Sequence, residues 1–129
     1  MVGFVVVSHS EKVAQGIVDI CKQFNDTSLI VDAGGIEDRI GTDVIKIKTK
    51  IEEINEKSDQ ILVFGDLGSS ILSADMAIEM LDDEIRPKIH LVDAPLIEGM
   101  IAASISATIS DDIEYIIHSA KETRTINKF

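Results

Sequence analysis

Phe4-Val5-Val6-Val7-Ser8-His9-Ser10 decides how the rest of the chain is read. A short β-branched run that empties straight into a polar turn, with a helical pattern beginning at Ser10, marks a strand buried on both faces of a parallel sheet. His9 then stands at the strand's carboxyl end, where open α/β sheets bind their ligands. Two roles fit a histidine there: a reacting group at the mouth of the fold, or a residue that caps the next helix or packs in a turn.

Outward from that stretch the chain alternates. Val13, Ile17, Ile20, Cys21 and Phe24 recur at helical spacing and form the expected inward stripe of a first helix, opposite Glu11, Lys12, Gln15, Asp19 and Lys22. Asn25-Asp26-Thr27 breaks it, and Ser28-Leu29-Ile30-Val31 reads as a second strand ending in Asp32-Ala33-Gly34-Gly35. A second helix starts near Gly41-Thr42, with Thr42 as its N-cap and Val44, Ile47, Ile51 and Ile54 as its stripe. Lys46, Lys48 and Lys50 lie among Glu52, Glu53 and Glu56 and read as a solvated face. Ile61-Leu62-Val63-Phe64 is a third strand, running into Gly65-Asp66-Leu67-Gly68-Ser69-Ser70 and a helix through Ala74, Ala77, Ile78 and Leu81. Ile89-His90-Leu91-Val92 is a fourth strand, and Pro95 suits the first turn of the helix after it. A last helix opens at Ser110-Asp111-Asp112, with Ile113, Ile116, Ile117 and Ala120 inward and a loosely held tail beyond Thr123.

This order predicts a small doubly wound three-layer α/β/α domain, one domain over residues 1–129, with a mainly parallel four-stranded sheet in the order 2-1-3-4. The first and third strands become neighbours, so His9 and Asp66 meet across adjacent strand ends. The helix after Pro95 has Glu98 as its only charge before Ser110, and small residues recur at Gly99, Ala102, Ala103, Ser104, Ser106 and Ala107. Such a helix wants cover on most sides. It is expected to form a homodimer interface, the alternative being burial within its own domain.

Composition narrows the function. With 12 Lys and Arg against 23 Asp and Glu, the net charge of −11 repels phosphate backbones and anionic lipid surfaces. Aromatic residues are 4% and Trp is absent, which leaves little for base stacking. The lone cysteine, Cys21, excludes an intramolecular disulfide and suits a reducing compartment. No signal-peptide pattern or membrane-length apolar run is present, so a cytoplasmic protein with neither nucleic-acid nor membrane partners is expected.

A carboxylate beside a histidine accepts one ring N–H, fixes the tautomer and leaves the other nitrogen's lone pair facing outward as a nucleophile. A phosphoryl group is the natural electrophile, because protonation of the other nitrogen makes imidazole a good leaving group. Donors for the phosphoryl oxygens come from helix N-termini, at Ser10, at Gly41 and Thr42, and at Gly68, Ser69 and Ser70. Arg39 is the nearby side chain that could add a fork of donors. Such a cradle is modest, which suits a carrier that must hand its cargo on. No cofactor is called for.

Rival readings fit less well. A receiver module would need an acidic pair after the first strand, where Ser8-His9-Ser10 stands. A metal site from His9, Asp32, Asp66 and Asp93 lacks ligand spacing on any one element. Gly65 to Ser70 lacks the Gly-Lys-Ser/Thr ending of a P-loop, and Ser69 lacks a nucleophile elbow. A non-catalytic ligand-binding or regulatory module stays open. His90 and His118 read as structural or surface residues.

Val6-Val7-Ser8-His9-Ser10, Gly34-Gly35 with Ile40-Gly41-Thr42, Gly65-Asp66-Leu67-Gly68-Ser69 and Asp93-Ala94-Pro95-Leu96-Ile97-Glu98-Gly99 together resemble the enzyme IIA domains of the mannose type. Within that family they look most like the phosphotransferase subunits of bacterial dihydroxyacetone kinases. The resemblance covers nearly the whole chain. It implies a homodimeric phosphotransferase of the phosphoenolpyruvate-dependent system, taking a phosphoryl group from the phosphohistidine of HPr. Its acceptor would be ADP held in the ADP-binding dihydroxyacetone kinase subunit. It also implies His9 as phosphoacceptor and Asp66 as its partner carboxylate. No HPr-like, enzyme I-like or IIB domain follows, so a separate HPr and the dihydroxyacetone pathway are expected. The IIA component of a mannose-type sugar permease is the alternative.

Overall fold

The computed structural model describes residues 1–129. Four parallel strands stand in the order β2-β1-β3-β4, as the alternation predicts. The central strand β1 (Val2–Ser8) is buried along its whole length, between β2 (Ile30–Gly34) and β3 (Gln60–Gly65). Its alternate side chains point to opposite faces. Val2, Phe4 and Val6 join Leu62 and Phe64 in one core, under α1 (Glu11–Phe24), α4 (Leu96–Ser106) and α5 (Ile113–Glu122). Val5 and Val7 join Ile61 and Val63 in the other, under α2 (Val44–Asn55) and α3 (Gly68–Glu79). Each such side chain contributes about 1.5–3 kcal/mol on full burial, which accounts for a run with no polar residue before Ser8. No helix is long and apolar enough to cross a membrane.

Several boundaries differ from the sequence expectation, each for a local reason. β2 begins two residues late because Asn25 takes the preceding turn: its Oδ1 accepts from the Thr27 and Ser28 amides. β4 (Ile89–Leu91) is a short, half-buried edge strand, with the Val92 amide still donating to the Val63 carbonyl. The N-cap of α2 is Asp43, not Thr42; the Asp43 carboxylate accepts from the Ile45 and Lys46 amides. Pro95 is the N-cap of α4 and not a first-turn residue. The segment beyond Thr123 is tied back, since Arg124 donates to the Asp93 carbonyl and carboxylate. Lys46 is held too, donating to the Gly34 carbonyl at 2.7 Å.

The inward face of α1 is rotated from its predicted stripe. Ala14, Ile17, Val18 and Cys21 are buried, while Val13, Ile20 and Phe24 are half exposed. Close approach to β2 sets this rotation. A methyl added at Gly34 would lie 2.6 Å from the Ser10 carbonyl oxygen, 2.8 Å from Ala14 Cβ and 2.9 Å from Glu11 Cα. Two of those atoms are backbone and cannot swing aside. Gly34→Ala is therefore expected to destabilise the fold by about 2–3 kcal/mol, read as a lower urea midpoint. An unchanged midpoint would mean that α1 can lift from β2 freely.

Candidate functional site

The register that places Val7 beside Gly65 brings the two strand exits together. His9 is two residues past Val7 and Asp66 one past Gly65, and they meet as predicted: His9 Nδ1 lies 2.9 Å from Asp66 Oδ1. Both side chains are about one-fifth exposed, at 22% and 21%. Asp66 is gripped from every side. Its Oδ1 also accepts from the Leu67 amide at 2.7 Å, and its Oδ2 accepts from the His9 amide at 3.0 Å and the Ser8 hydroxyl at 2.9 Å. Burial pushes the carboxyl upward, but the His9 amide and ring, Ser8 and Leu67 together outweigh it and hold the pKa at about 2. Asp66 is ionised throughout the physiological range.

An ionised carboxylate can only accept, so the proton of the neutral His9 ring resides on Nδ1 and the lone pair on Nε2. Nε2 meets one side chain, the hydroxyl of Ser69, whose Oγ lies 2.6 Å away and donates to it. Behind Ser69 opens the N-terminus of α3. That helix has no side-chain cap and no acidic residue in its first turn, and the Gly68 and Ser69 amides find no acceptor within the chain. Free amides at the positive end of a helix favour an anion beside Nε2.

The other residues expected to hold phosphate are engaged elsewhere. The Gly41 amide donates to the His9 carbonyl at 2.8 Å, fixing the turn from behind. Thr42 Oγ1 shares a hydrogen bond with Ser73 Oγ at 2.6 Å. Ser10 caps α1 through its hydroxyl, which accepts from the Val13 amide, while its own amide donates to Ser8 Oγ. Ser70 is fully buried, with amide and hydroxyl both donating to the Leu67 carbonyl. Arg39 pairs with Glu37 across an exposed turn whose Glu37 has φ 54, in the left-handed region. A cleft of about 520 Å³ lies between that turn and α1, lined by residues that include Ser10, Lys12 and Arg39 but neither His9 nor Asp66.

Sequence reasoning overlooked Ser8. The available signal was a hydroxyl closing an otherwise apolar strand, in the row of Val2, Phe4 and Val6. His9, Asp32, Asp66 and Asp93 do not gather into a metal-binding group, and Asp93 pairs with Arg124. His90 bonds Gln60 at 2.6 Å, and His118 pairs with Glu122 on the surface. Cys21 is a core residue, its thiol pushed up by burial.

Ser69 gives the site its first test. Ser69→Ala removes the donor on Nε2 but leaves the nucleophile and its carboxylate in place. Any chemistry at Nε2 that builds negative charge nearby is expected to slow about threefold to tenfold, measured as a single-turnover rate. An unchanged rate would remove Ser69 from the site.

The family described as PTS system fructose IIA component (EIIA-man) matches residues 3–117. The phosphoryl donor subunit DhaM of the PEP-dependent dihydroxyacetone kinase of Escherichia coli (strain K12) is 41% identical over 125 residues, 93% of this chain. The chain spans only 26% of that relative's length. The phosphoryl donor subunit DhaM of PEP-dependent dihydroxyacetone kinase 2 from Listeria innocua serovar 6a is 38% identical, the alignment covering 91% of this chain and 94% of that protein. Among solved structures, a protein described as "unknown function protein EF1359" superposes with a TM-score of 0.86 at 38% identity, over 93% of this chain and 92% of its own. The phosphotransferase system component EIIA from Streptococcus agalactiae superposes at 0.67 with 16% identity, over 98% and 97% of the two chains, a likeness of fold alone.

Proposed function

The chain belongs to the mannose-type EIIA family of phosphotransferase-system components, and from that premise we propose that it is a phosphohistidine carrier serving a dihydroxyacetone kinase. In this reading His9 Nε2 takes a phosphoryl group from the phosphohistidine of HPr and passes it to ADP held in the ADP-binding kinase subunit. The observation that carries it is the locked imidazole: Nδ1–H on Asp66, Nε2 turned outward beside the open N-terminus of α3.

The steps balance without any proton leaving the ring. The Nε2 lone pair attacks phosphorus, and the donor's N–P bond breaks with its electron pair returning to the donor imidazole. While the phosphoryl group is on Nε2, the ring carries positive charge with its proton still on Nδ1, and the Asp66 carboxylate stabilises that charge. Ser69 turns its hydroxyl from Nε2 to a phosphoryl oxygen, joined by the Gly68 and Ser69 amides. A terminal oxygen of ADP then attacks, and the N–P pair returns to Nε2. A carboxylate of pKa about 2 keeps this arrangement at any cellular pH.

The choice of dihydroxyacetone kinase over a sugar permease rests on the dihydroxyacetone kinase relatives at 38% and 41% identity. The deciding experiment incubates the chain with phosphoenolpyruvate, enzyme I and HPr, follows intact mass, and then adds the ADP-loaded kinase subunit. One phosphoryl group gained and then discharged is expected. No adduct would overturn the carrier reading; an adduct that the kinase subunit leaves untouched would move the acceptor to a sugar permease.

The protein is proposed to work as a homodimer through α4. That helix buries Gly99, Met100, Ala103, Ser104 and Ser106 within its own fold, yet leaves Ile97 and Ile105 47% and 44% exposed one face away, with Ile109 beyond. Ile105→Glu places a charge in that face and is expected to shift sedimentation toward the monomer by at least tenfold in dissociation constant. An unaltered dimer would exclude this face.

A further inference from the structure

Building on the phosphocarrier reading, we infer that Ser8 is a positioning residue of the site: its hydroxyl fixes the Asp66 carboxylate and, through it, the tautomer that makes His9 Nε2 the nucleophile. Ser8 is 1% exposed and ends the row of Val2, Phe4 and Val6. A valine there would bury more apolar surface, and a hydroxyl is costly in such a place unless both its capacities are met. Both are met. Oγ accepts from the Ser10 amide at 3.1 Å and donates to Asp66 Oδ2 at 2.9 Å. The direction is unambiguous, since an amide only donates and an ionised carboxylate only accepts.

With Ser8, Asp66 receives four donors on its four lone-pair sites. Two are backbone amides and one is the His9 ring itself. Ser8 is thus the one side-chain donor, apart from the reacting histidine, that holds the carboxylate's plane. Of the groups bonded to Asp66, only the His9 ring titrates.

The plane matters because the other end of the imidazole does not discriminate. Ser69 Oγ can donate to a bare Nε2 or accept from a protonated one, so it tolerates either tautomer. Selection falls to Asp66 alone. Remove the Ser8 hydroxyl, and Oδ2 keeps only the His9 amide while the Ser10 amide loses its acceptor. The carboxylate is then held by one amide on each oxygen, its hold on Nδ1–H weakens, and the Nε2–H form, whose lone pair sits on Nδ1 facing Asp66, gains population.

The test reads the tautomer directly. Nitrogen-15 spectra of the His9 ring, recorded above the histidine titration range, are compared for the native chain, Ser8→Ala and Ser8→Thr. Phosphoryl uptake from phospho-HPr is followed against pH in the same three proteins. The native ring is expected as the Nδ1–H form. Ser8→Ala should give a mixture, with uptake slowed about tenfold and its acid limb moved to lower pH, since a weaker hold on Nδ1–H stabilises the protonated ring less, and Ser8→Thr should restore both. A folded Ser8→Ala protein with the native ring spectrum and native pH profile would overturn the inference, as would a Ser8→Thr protein no better than Ser8→Ala. Should Ser8→Ala not fold, Ser8→Val, which fills the space but has no donor, takes its place: a mixed ring spectrum supports the role and a native one overturns it. If the native chain takes no phosphoryl group at all, the carrier reading fails, while the ring spectra still decide what Ser8 does.

Discussion

His9→Gln is expected to abolish phosphoryl uptake outright, with no adduct in intact mass under conditions that load the native chain fully. The expectation follows from which atoms the substitution removes. A glutamine amide can still donate to Asp66 Oδ1, so the carboxylate keeps its bonds to Ser8, the residue 9 amide and Leu67. The fold should therefore stay within about 1 kcal/mol of native in urea. What vanishes is the nucleophile: the amide nitrogen's lone pair is delocalised into its carbonyl and does not attack phosphorus. His90 and His118 cannot substitute, the first bonded to Gln60 within the sheet and the second paired on the far helix α5. A stoichiometric adduct on His9→Gln would relocate the acceptor and dissolve the present reading of the site.

Much of this was legible in the sequence because two different periodicities report on two different burial problems. A strand covered on both faces cannot alternate, so the unbroken Phe4–Val7 run announced a central parallel strand, and β1 is fully buried between two neighbours. The meeting of His9 and Asp66 followed from strand order alone. What sequence could not give was rotation and hydrogen-bond direction. The face α1 presents is set by contact of Ala14 with Gly34, two small residues that carry weak hydrophobic signal, while the larger Val13, Ile20 and Phe24 misled. Helix N-termini were equally plausible donors on paper. Yet Gly41 turns its amide back to the His9 carbonyl and Thr42 yields the cap to Asp43, whereas Gly68 and Ser69 at the start of α3 keep amides without an acceptor next to the Ser69 hydroxyl that meets Nε2. Such choices depend on distances of a few tenths of an ångström that no residue pattern encodes.

Asp66→Asn is expected to cost two to four orders of magnitude, roughly 10²–10⁴, in the rate of phosphoryl transfer while leaving the protein folded. The amide is nearly the same shape as the carboxylate but carries one acceptor where four donors converge. With its oxygen toward Oδ1's partners, its NH₂ confronts the His9 amide and the Ser8 hydroxyl. Turned over, the NH₂ donates to His9 Nδ1 and drives the ring proton to Nε2, where it blocks attack. Either arrangement also strips the negative charge that stabilises the phosphorylated ring, so uptake and discharge should both suffer. Stability carries a second signature. A folded pKa of about 2 against the ordinary 3.8 means that ionised Asp66 contributes on the order of 2 kcal/mol. Because the folded value is the lower one, that contribution is fully present above roughly pH 4 and is lost as pH falls through 2. Asparagine cannot titrate, so the stability gap between native and variant should be widest near neutrality and close toward pH 2, measured by urea unfolding across that window. A gap that stays constant with pH would mean that Asp66 is not held by the bonds described, and transfer at the native rate by Asp66→Asn would mean that the ring needs no carboxylate to choose its tautomer.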